Sequence, residues 1–187
     1  VKRPDPPAIA LLEFSSIARA IRTGDAMVKR AEVRVQIAEP VSPGKYLVLV
    51  TGGEAEVEES WREGLAIGGD SVIDSLYLPG VHADALQAVH GAELQRWAQD
   101  SIAIVECSNV AGAIVACDAA CKETPVRILE MRLGKGIGGK GVFTMAGELW
   151  DLQASVEAAT RSIEARRVLV GTEIIPRPDG RFTGGLR

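Results

Sequence analysis

The residues with the strongest claim to chemistry lie in one run, Gly134-Lys135-Gly136-Ile137-Gly138-Gly139-Lys140-Gly141, which satisfies GxGxxG and nearly satisfies GxxxxGK[ST]. A nucleotide loop of either kind needs a helix N-terminus directly behind it, so that free amides and the helix dipole face the phosphates. Here Val142-Phe143-Thr144-Met145 comes next, a strand pattern, and Gly141 stands where a Ser or Thr hydroxyl binds magnesium. The other reading is a glycine-rich turn between two strands, where the backbone takes positive φ or passes close to another chain. Cys117 and Cys121 are four apart, a helical spacing that serves either a shared metal or two buried thiols on the apolar stripe Val110, Ala113, Ile114, Cys117, Cys121. The two histidines, His82 and His90, have no Ser or Cys nucleophile pattern beside them, which leaves a hydrolytic triad without support. Glu13 and Glu106, like Asp25 and Asp118, stand in matching contexts. Such pairs serve as general acid and base, or as hydrogen-bonding and subunit-contact groups. No catalytic or metal-ligating set is expected from these residues.

Those matching contexts come from an internal repeat. Shifted by 93 positions, Ile9-Ala10-x-x-Glu13-x-Ser15-x-x-Ala18-x-Ala20-Ile21 falls on Ile102-Ala103-x-x-Glu106-x-Ser108-x-x-Ala111-x-Ala113-Ile114. Asp25-Ala26-x-x-Lys29 falls on Asp118-Ala119-x-x-Lys122, and Val33-Arg34 on Val126-Arg127, which makes 12 identities in 26 positions. After a two-residue insertion, Gly44-Lys45 meets Gly139-Lys140, Gly52 meets Gly147, and Leu78-Pro79 meets Ile175-Pro176. Agreement of this density marks two copies of one domain. They are placed at residues 1–90 and 91–187, joined around Ala83 to Asp100.

Each copy alternates strands and helices. Residues 8–14 form an apolar run. Ser15 or Ser16 then caps a helix with apolar positions Ile17, Ala20, Ile21, Gly24, Val28 and Ala31. Strands come next at 32–39 and 45–51 around Pro-Val-Ser-Pro-Gly, then a helix carrying Val57, Trp61 and Leu65, then a strand at Val72 to Leu78 stopped by Pro79-Gly80. The unit is βαββαβ, an α+β sandwich of ferredoxin-like type, and a domain this small gains stability by burying its edges in an oligomer.

A net charge of −4 with 4% aromatic residues argues against a nucleic-acid partner. The longest apolar runs, Ala8 to Leu12 and Ile102 to Val105, fall far below the roughly 20 residues of a membrane span. The opening Val-Lys-Arg-Pro-Asp-Pro-Pro has no apolar signal segment behind it, since Glu13, Ser15 and Ser16 interrupt the run. With three cysteines, an odd number that fits a reducing compartment, a cytoplasmic location is expected.

The repeated Ala-Ile-x-x-x-Asp-Ala-x-x-Lys, the β-turn-β with its small-residue loop, and Ile175-Pro176-Arg177-Pro178 resemble the shell domain of bacterial microcompartments in its non-permuted order. Pro40-Val41-Ser42-Pro43-Gly44-Lys45, Asp74-Ser75-Leu76-Tyr77-Leu78-Pro79-x-x-His82 and Gly136-Ile137-Gly138-Gly139-Lys140 resemble, more narrowly, the tandem-domain trimers of propanediol-utilisation compartments. The resemblance implies a non-enzymatic tile: three chains close a pseudohexameric ring that packs with other shell proteins, hexamers and pentamers, around enclosed enzymes. It assigns Val41, Ser42, Pro43 and Gly44 to one pore loop and Lys135, Gly136, Ile137 and Gly138 to a longer second one. It makes Lys29, Lys122 and Arg177 tile-edge contacts, and Gly80 leaves the first copy without the edge arginine. Some tandem relatives hold an iron–sulfur cluster on a pore-loop cysteine, and this chain has Ser42 there, whose hydroxyl cannot supply the thiolate. The expectation is no cofactor and a pore for small polar metabolites. A redox conduit and a duplicated small-molecule sensor are the alternatives.

Overall fold

The computed structural model describes residues 7–91 and 101–179; residues 92–100 of the stretch read as the join, and the extreme ends of both copies, lie outside the described residues. The chain divides into two compact units, Val1–Val81 and His82–Arg187. The first holds β1 (Ala8–Phe14), α1 (Ile17–Arg30), β2 (Arg34–Val41), β3 (Lys45–Gly52), α2 (Glu54–Gly68) and β4 (Val72–Leu78). The second opens on a helix that the repeat does not predict, α3 (Ala83–Val89), and then repeats the pattern. It continues with β5 (Ser101–Cys107), α4 (Val110–Glu123), β6 (Arg127–Leu133), β7 (Gly141–Gly147), α5 (Leu149–Ile163) and β8 (Leu169–Ile175). Each sheet is antiparallel, in the orders β2-β3-β1-β4 and β6-β7-β5-β8. This is the expected pair of βαββαβ units.

Local signals explain the elements. β1 is apolar at all but one position and buried at all seven, as a central strand packed on both faces must be. Ser16 caps α1 by accepting the Arg19 N–H, and Asn109 caps α4 by accepting that of Gly112. Lys29 and Arg30 close α1 where the helix dipole favours cations, and Glu54 and Glu56 open α2 where it favours anions. Pro40 falls inside β2 rather than in the loop, which an edge strand tolerates because its outward N–H has no strand partner.

The two helices of each unit are fastened by the same buried bond. Ser60 donates its hydroxyl to the carbonyl of Met27 at 3.2 Å, and Ser155 donates to that of Ala120 at 3.0 Å. Around this bond the copies fill the space differently. A Cβ on Gly64 would lie 2.4 Å from Leu12 and 2.8 Å from the Met27 sulfur. Their counterparts in the second unit are Ala159, Val105 and Ala120, all fully buried. The first copy carries its volume on β1 and α1 and gives it up on α2.

One expectation about α1 changes. Its buried residues are Ala20, Thr23 and Met27, whereas Ile17, Ile21 and Val28 from the predicted stripe are 41%, 58% and 40% exposed. The apolar surface of α1 is wider than its own sheet and α2 can cover. In α4, Val110, Ile114 and Cys121 at the same positions are buried, and α3, which has no counterpart in the first unit, packs along α4 and β6.

Gly64→Ala is expected to lower stability by about 1–3 kcal/mol through overpacking. Combined with Met27→Ala, the total loss should be smaller than the sum of the two single losses. Urea denaturation of the four proteins measures the coupling.

Candidate functional site

The glycine-rich run forms the connection between β6 and β7. Leu133 pairs with Gly141, so the loop spans Gly134 to Lys140, and the strand β7 stands where a nucleotide loop would need a helix. Gly134, Gly136, Gly138 and Gly139 all have φ between 68° and 81°, which explains their residue type: a side chain is strained there. The loop also bonds to itself. The Gly134 N–H donates to the Lys140 carbonyl at 2.8 Å, the Lys135 N–H to Leu133 at 2.8 Å, and the Gly139 N–H to Gly134 at 3.2 Å. Lys135, Gly136 and Gly138 are exposed on the outside of this arch and Ile137 is half-buried. The observation settles the two readings in favour of a turn.

The equivalent connection in the first unit is shorter. Val41 pairs with Lys45, leaving Ser42, Pro43 and Gly44 as an exposed tip, with Gly44 at φ 79° in the left-handed position that three-residue hairpin loops favour. Val41 itself is 4% exposed and forms the buried root of the loop.

A charged pair that the sequence reading did not assemble stands behind each loop. Lys45, the first residue after the tip, places its ammonium 2.6 Å from Glu13 on β1, whose side chain is 1% exposed. The contact is a close approach of charges rather than an aligned hydrogen bond. Lys140 makes the same 2.6 Å contact with Glu106 on β5, here as a hydrogen bond between half-exposed groups. The signal was present in the sequence: Glu13/Glu106 and Lys45/Lys140 repeat together. A hairpin root and a neighbouring strand are brought into reach only by the β1–β3 register, in which Glu13 faces Leu47, two residues from Lys45. The repeated glutamates are therefore structural anchors for the loops.

The predicted edge lysines occupy equivalent helix ends. Lys29 bonds Asp25 and Lys122 bonds Asp118, each at 2.6 Å and four residues apart, with the acid N-terminal to the base as helix geometry prefers. Both lysine side chains remain well exposed. Arg177 is exposed just past β8, with φ 50°.

The cysteines are buried free thiols. Burial, helped by the Glu106 carboxylate, pushes the Cys107 thiol up to about 11. A hydrogen bond with Cys121, and then burial, holds Cys117 well above the usual thiol range. Among the described residues no three His, Cys, Asp or Glu side chains gather as a metal site. No helix among them is long and apolar enough to cross a membrane.

The chain's likeness to known proteins tracks the repeat. The BMC domain model matches residues 8–81 and again 101–178. The bacterial microcompartment shell protein PduT of Citrobacter freundii is 36% identical over 171 residues, 91% of this chain and 92% of that protein. The crystal structure of a microcompartment protein from Desulfitobacterium hafniense superposes with a TM-score of 0.89 at 37% identity, covering 96% of this chain and 99% of that one. The fused permuted hexameric shell protein of the RMM microcompartment shares the fold at a TM-score of 0.66 and 20% identity, over 85% of this chain and 84% of its own.

Removing Lys45 strands a buried carboxylate, so Lys45→Ala should cost about 3 kcal/mol, whereas Lys140→Ala should cost about 1 kcal/mol or less because its pair is wet. Thermal and urea unfolding of both variants test the contrast. The Cys107 thiol keeps its proton to about pH 11 in the fold against an ordinary value of 9.0. Its contribution to stability is therefore full below pH 9 and declines as pH rises toward 11. At pH 8 a disulfide reagent should label the folded protein at least about tenfold more slowly than the urea-unfolded chain.

Proposed function

The chain belongs to the BMC-domain family of bacterial microcompartment shell proteins, which it represents with two copies of the domain, and from that premise we propose that three chains close a pseudohexameric ring with a selective pore at its axis. The shell role is structural, and the reading extends it to a protein that makes and breaks no bonds. The observation that carries the pore is the pair of exposed loops, Ser42 to Gly44 and Gly134 to Lys140, each rooted by a Glu–Lys contact at the same hairpin of its own unit. A loop held at its root but exposed at its tip is suited to line an opening without collapsing into it.

Threefold symmetry sets three copies of each loop around one axis. In this reading Ser42 offers three hydroxyls above the buried Val41, with Pro43 and Gly44 shaping the rim. Gly136, Ile137 and Gly138 shape the second constriction, and Lys135 offers three ammonium groups that favour anions. Ser42, in place of a thiolate ligand, directs the reading to small polar metabolites rather than electrons.

Lys29, Lys122 and Arg177 are assigned to the seams between tiles in a cytoplasmic shell, where other shell proteins, hexamers and pentamers, adjoin. Each lysine spends one N–H on its aspartate and keeps two for carbonyls across the seam. The aspartate fixes the direction of a flexible stem before contact, which lowers the ordering cost of docking. Enzymes enclosed by the shell are the remaining partners.

Changing Lys29 and Lys122 together to Asp should leave the ring intact in sedimentation and abolish extended sheets in electron micrographs. Ser42→Ala and Lys135→Ala should each change solute flux or ligand affinity. Unchanged behaviour in both would reject the pore lining.

A further inference from the structure

The register of the second sheet gathers several exposed side chains at one of its ends. Gly147 pairs with Ser101, Ile175 with Ile102 and Ala146 with Arg127, so β7 and β8 end where β5 and β6 begin. The glycine-rich loop lies at the opposite end, where Leu133 meets Gly141. Lys122, in the last turn of α4, leads into the loop-free end, and Arg177 emerges there just past β8. Glu148 and Trp150 stand there too, at the cap and first turn of α5. Trp150 is 81% exposed, the most open large apolar side chain among the described residues, and Glu148 and Arg177 are exposed as well. Among the described residues the one ring contact is that of Trp61 with Tyr77, so Arg177 and Trp150 of one chain do not stack on each other.

The first copy lacks Glu148, Trp150 and Arg177 together. Counted from the repeated Gly52 and Gly147, Glu148 corresponds to Gly53 and Trp150 to Ala55; counted from Pro79 and Pro176, Arg177 corresponds to Gly80. The lysine alone is common to both copies, as Lys29 and Lys122. Since the first unit reaches the same fold without the other side chains, folding does not require them. Arg177 makes the point most directly. It holds a left-handed backbone, φ 50°, that strains a residue with a Cβ, whereas Gly80 makes the same turn at φ 61° without strain. An indole left in water and an arginine kept in a strained turn, both in the same copy, call for a partner outside that copy. Their chemistry is complementary: the indole face is the best aromatic partner of a cation, and a guanidinium lies flat on it while its N–H groups reach a carboxylate. Trp and Arg are also the side chains that dominate contacts between proteins.

We propose that where the second-unit edges of two rings meet, Arg177 of each ring stacks on Trp150 of the other and turns its N–H groups to Glu148, two residues before that indole. The partner is a second copy of this chain. Because one edge carries both the arginine and its receptor, the contact is isologous and is made twice about a twofold axis. A first-unit edge, with Gly53, Ala55 and Gly80, can neither give nor receive it. Lys29 and Lys122 treat the edges of both units alike, and Glu148, Trp150 and Arg177 tell them apart. The inference rests on the tile-edge reading above and adds to it the receptor for Arg177.

Sedimentation of the full chain over a range of concentrations, with electron microscopy of the products, measures how rings associate. Trp150→Ala and Arg177→Ala should each raise the concentration needed for association between rings at least about tenfold, with ring size and urea midpoint unchanged. The double variant should associate no more weakly than either single one, because both changes remove the same contact. Arg177→Glu should lose association, and Glu148→Arg added to it should restore it. Single variants that associate like the wild type, while the Lys29→Asp/Lys122→Asp protein does not associate, overturn the pairing and leave the tile-edge reading standing. A double variant that adds the two single losses overturns the pairing as well. Wild-type rings that never associate, or that associate undiminished in Lys29→Asp/Lys122→Asp, overturn the tile-edge reading and the proposal with it.

Discussion

A carboxylate stands almost wholly out of water on the central strand of the first sheet, and the rest of the site is shaped by the need to compensate it. Burying Glu13 uncompensated costs several kcal/mol, so a cation must be held within contact distance. The cation is Lys45, and holding it fixes the first residue of β3 and the root of the hairpin. The second copy keeps the device with Glu106 and Lys140, in a wetter setting. A short loop and a long one can then start from the same root. The tip can lengthen, gain glycines and change chemistry while the strands behind it stay in register.

The helix layer is governed by a second constraint, the approach of two helices to one sheet. The buried serine bond between the helices repeats without change, but the packing beside it is redistributed, from Leu12, Met27 and Gly64 to Val105, Ala120 and Ala159. Interiors at crystal-like density accept such exchanges only when gains and losses of volume meet at one place. The two copies have therefore diverged in side chains without diverging in fold.

Duplication also separates faces that an exact repeat would share. A four-stranded sheet with two helices on one face leaves edges to be covered by something else. In the second unit α3 covers α4 and β6. In the first unit the equivalent apolar surface is open, while Asp25 retains the acceptor that Asp118 uses. One aspartate thus fastens the cover of its helix through His82, while its twin bonds only Lys29 among the described residues.

The sequence by itself determined the duplication, the order of elements and the loops. Those features rest on local rules: strand and helix periodicities, serine and asparagine caps, glycines where φ is positive, and the repeated run from Ile9 to Arg34 against Ile102 to Arg127. It also weighed against a nucleotide loop, because whether a strand or a helix succeeds a glycine-rich turn is a local property too, and the β6–β7 pairing settled it. The features it misjudged depend on through-space cover. The stripe Ile17, Ile21, Val28 satisfies helical spacing as well as Ala20, Thr23, Met27 does, and only the position of the sheet decides which is buried. The short helix α3 has no counterpart in the repeat to betray it. The Glu–Lys anchors join residues more than thirty apart, so spacing along the chain could not pair them; the antiparallel register of the sheets did.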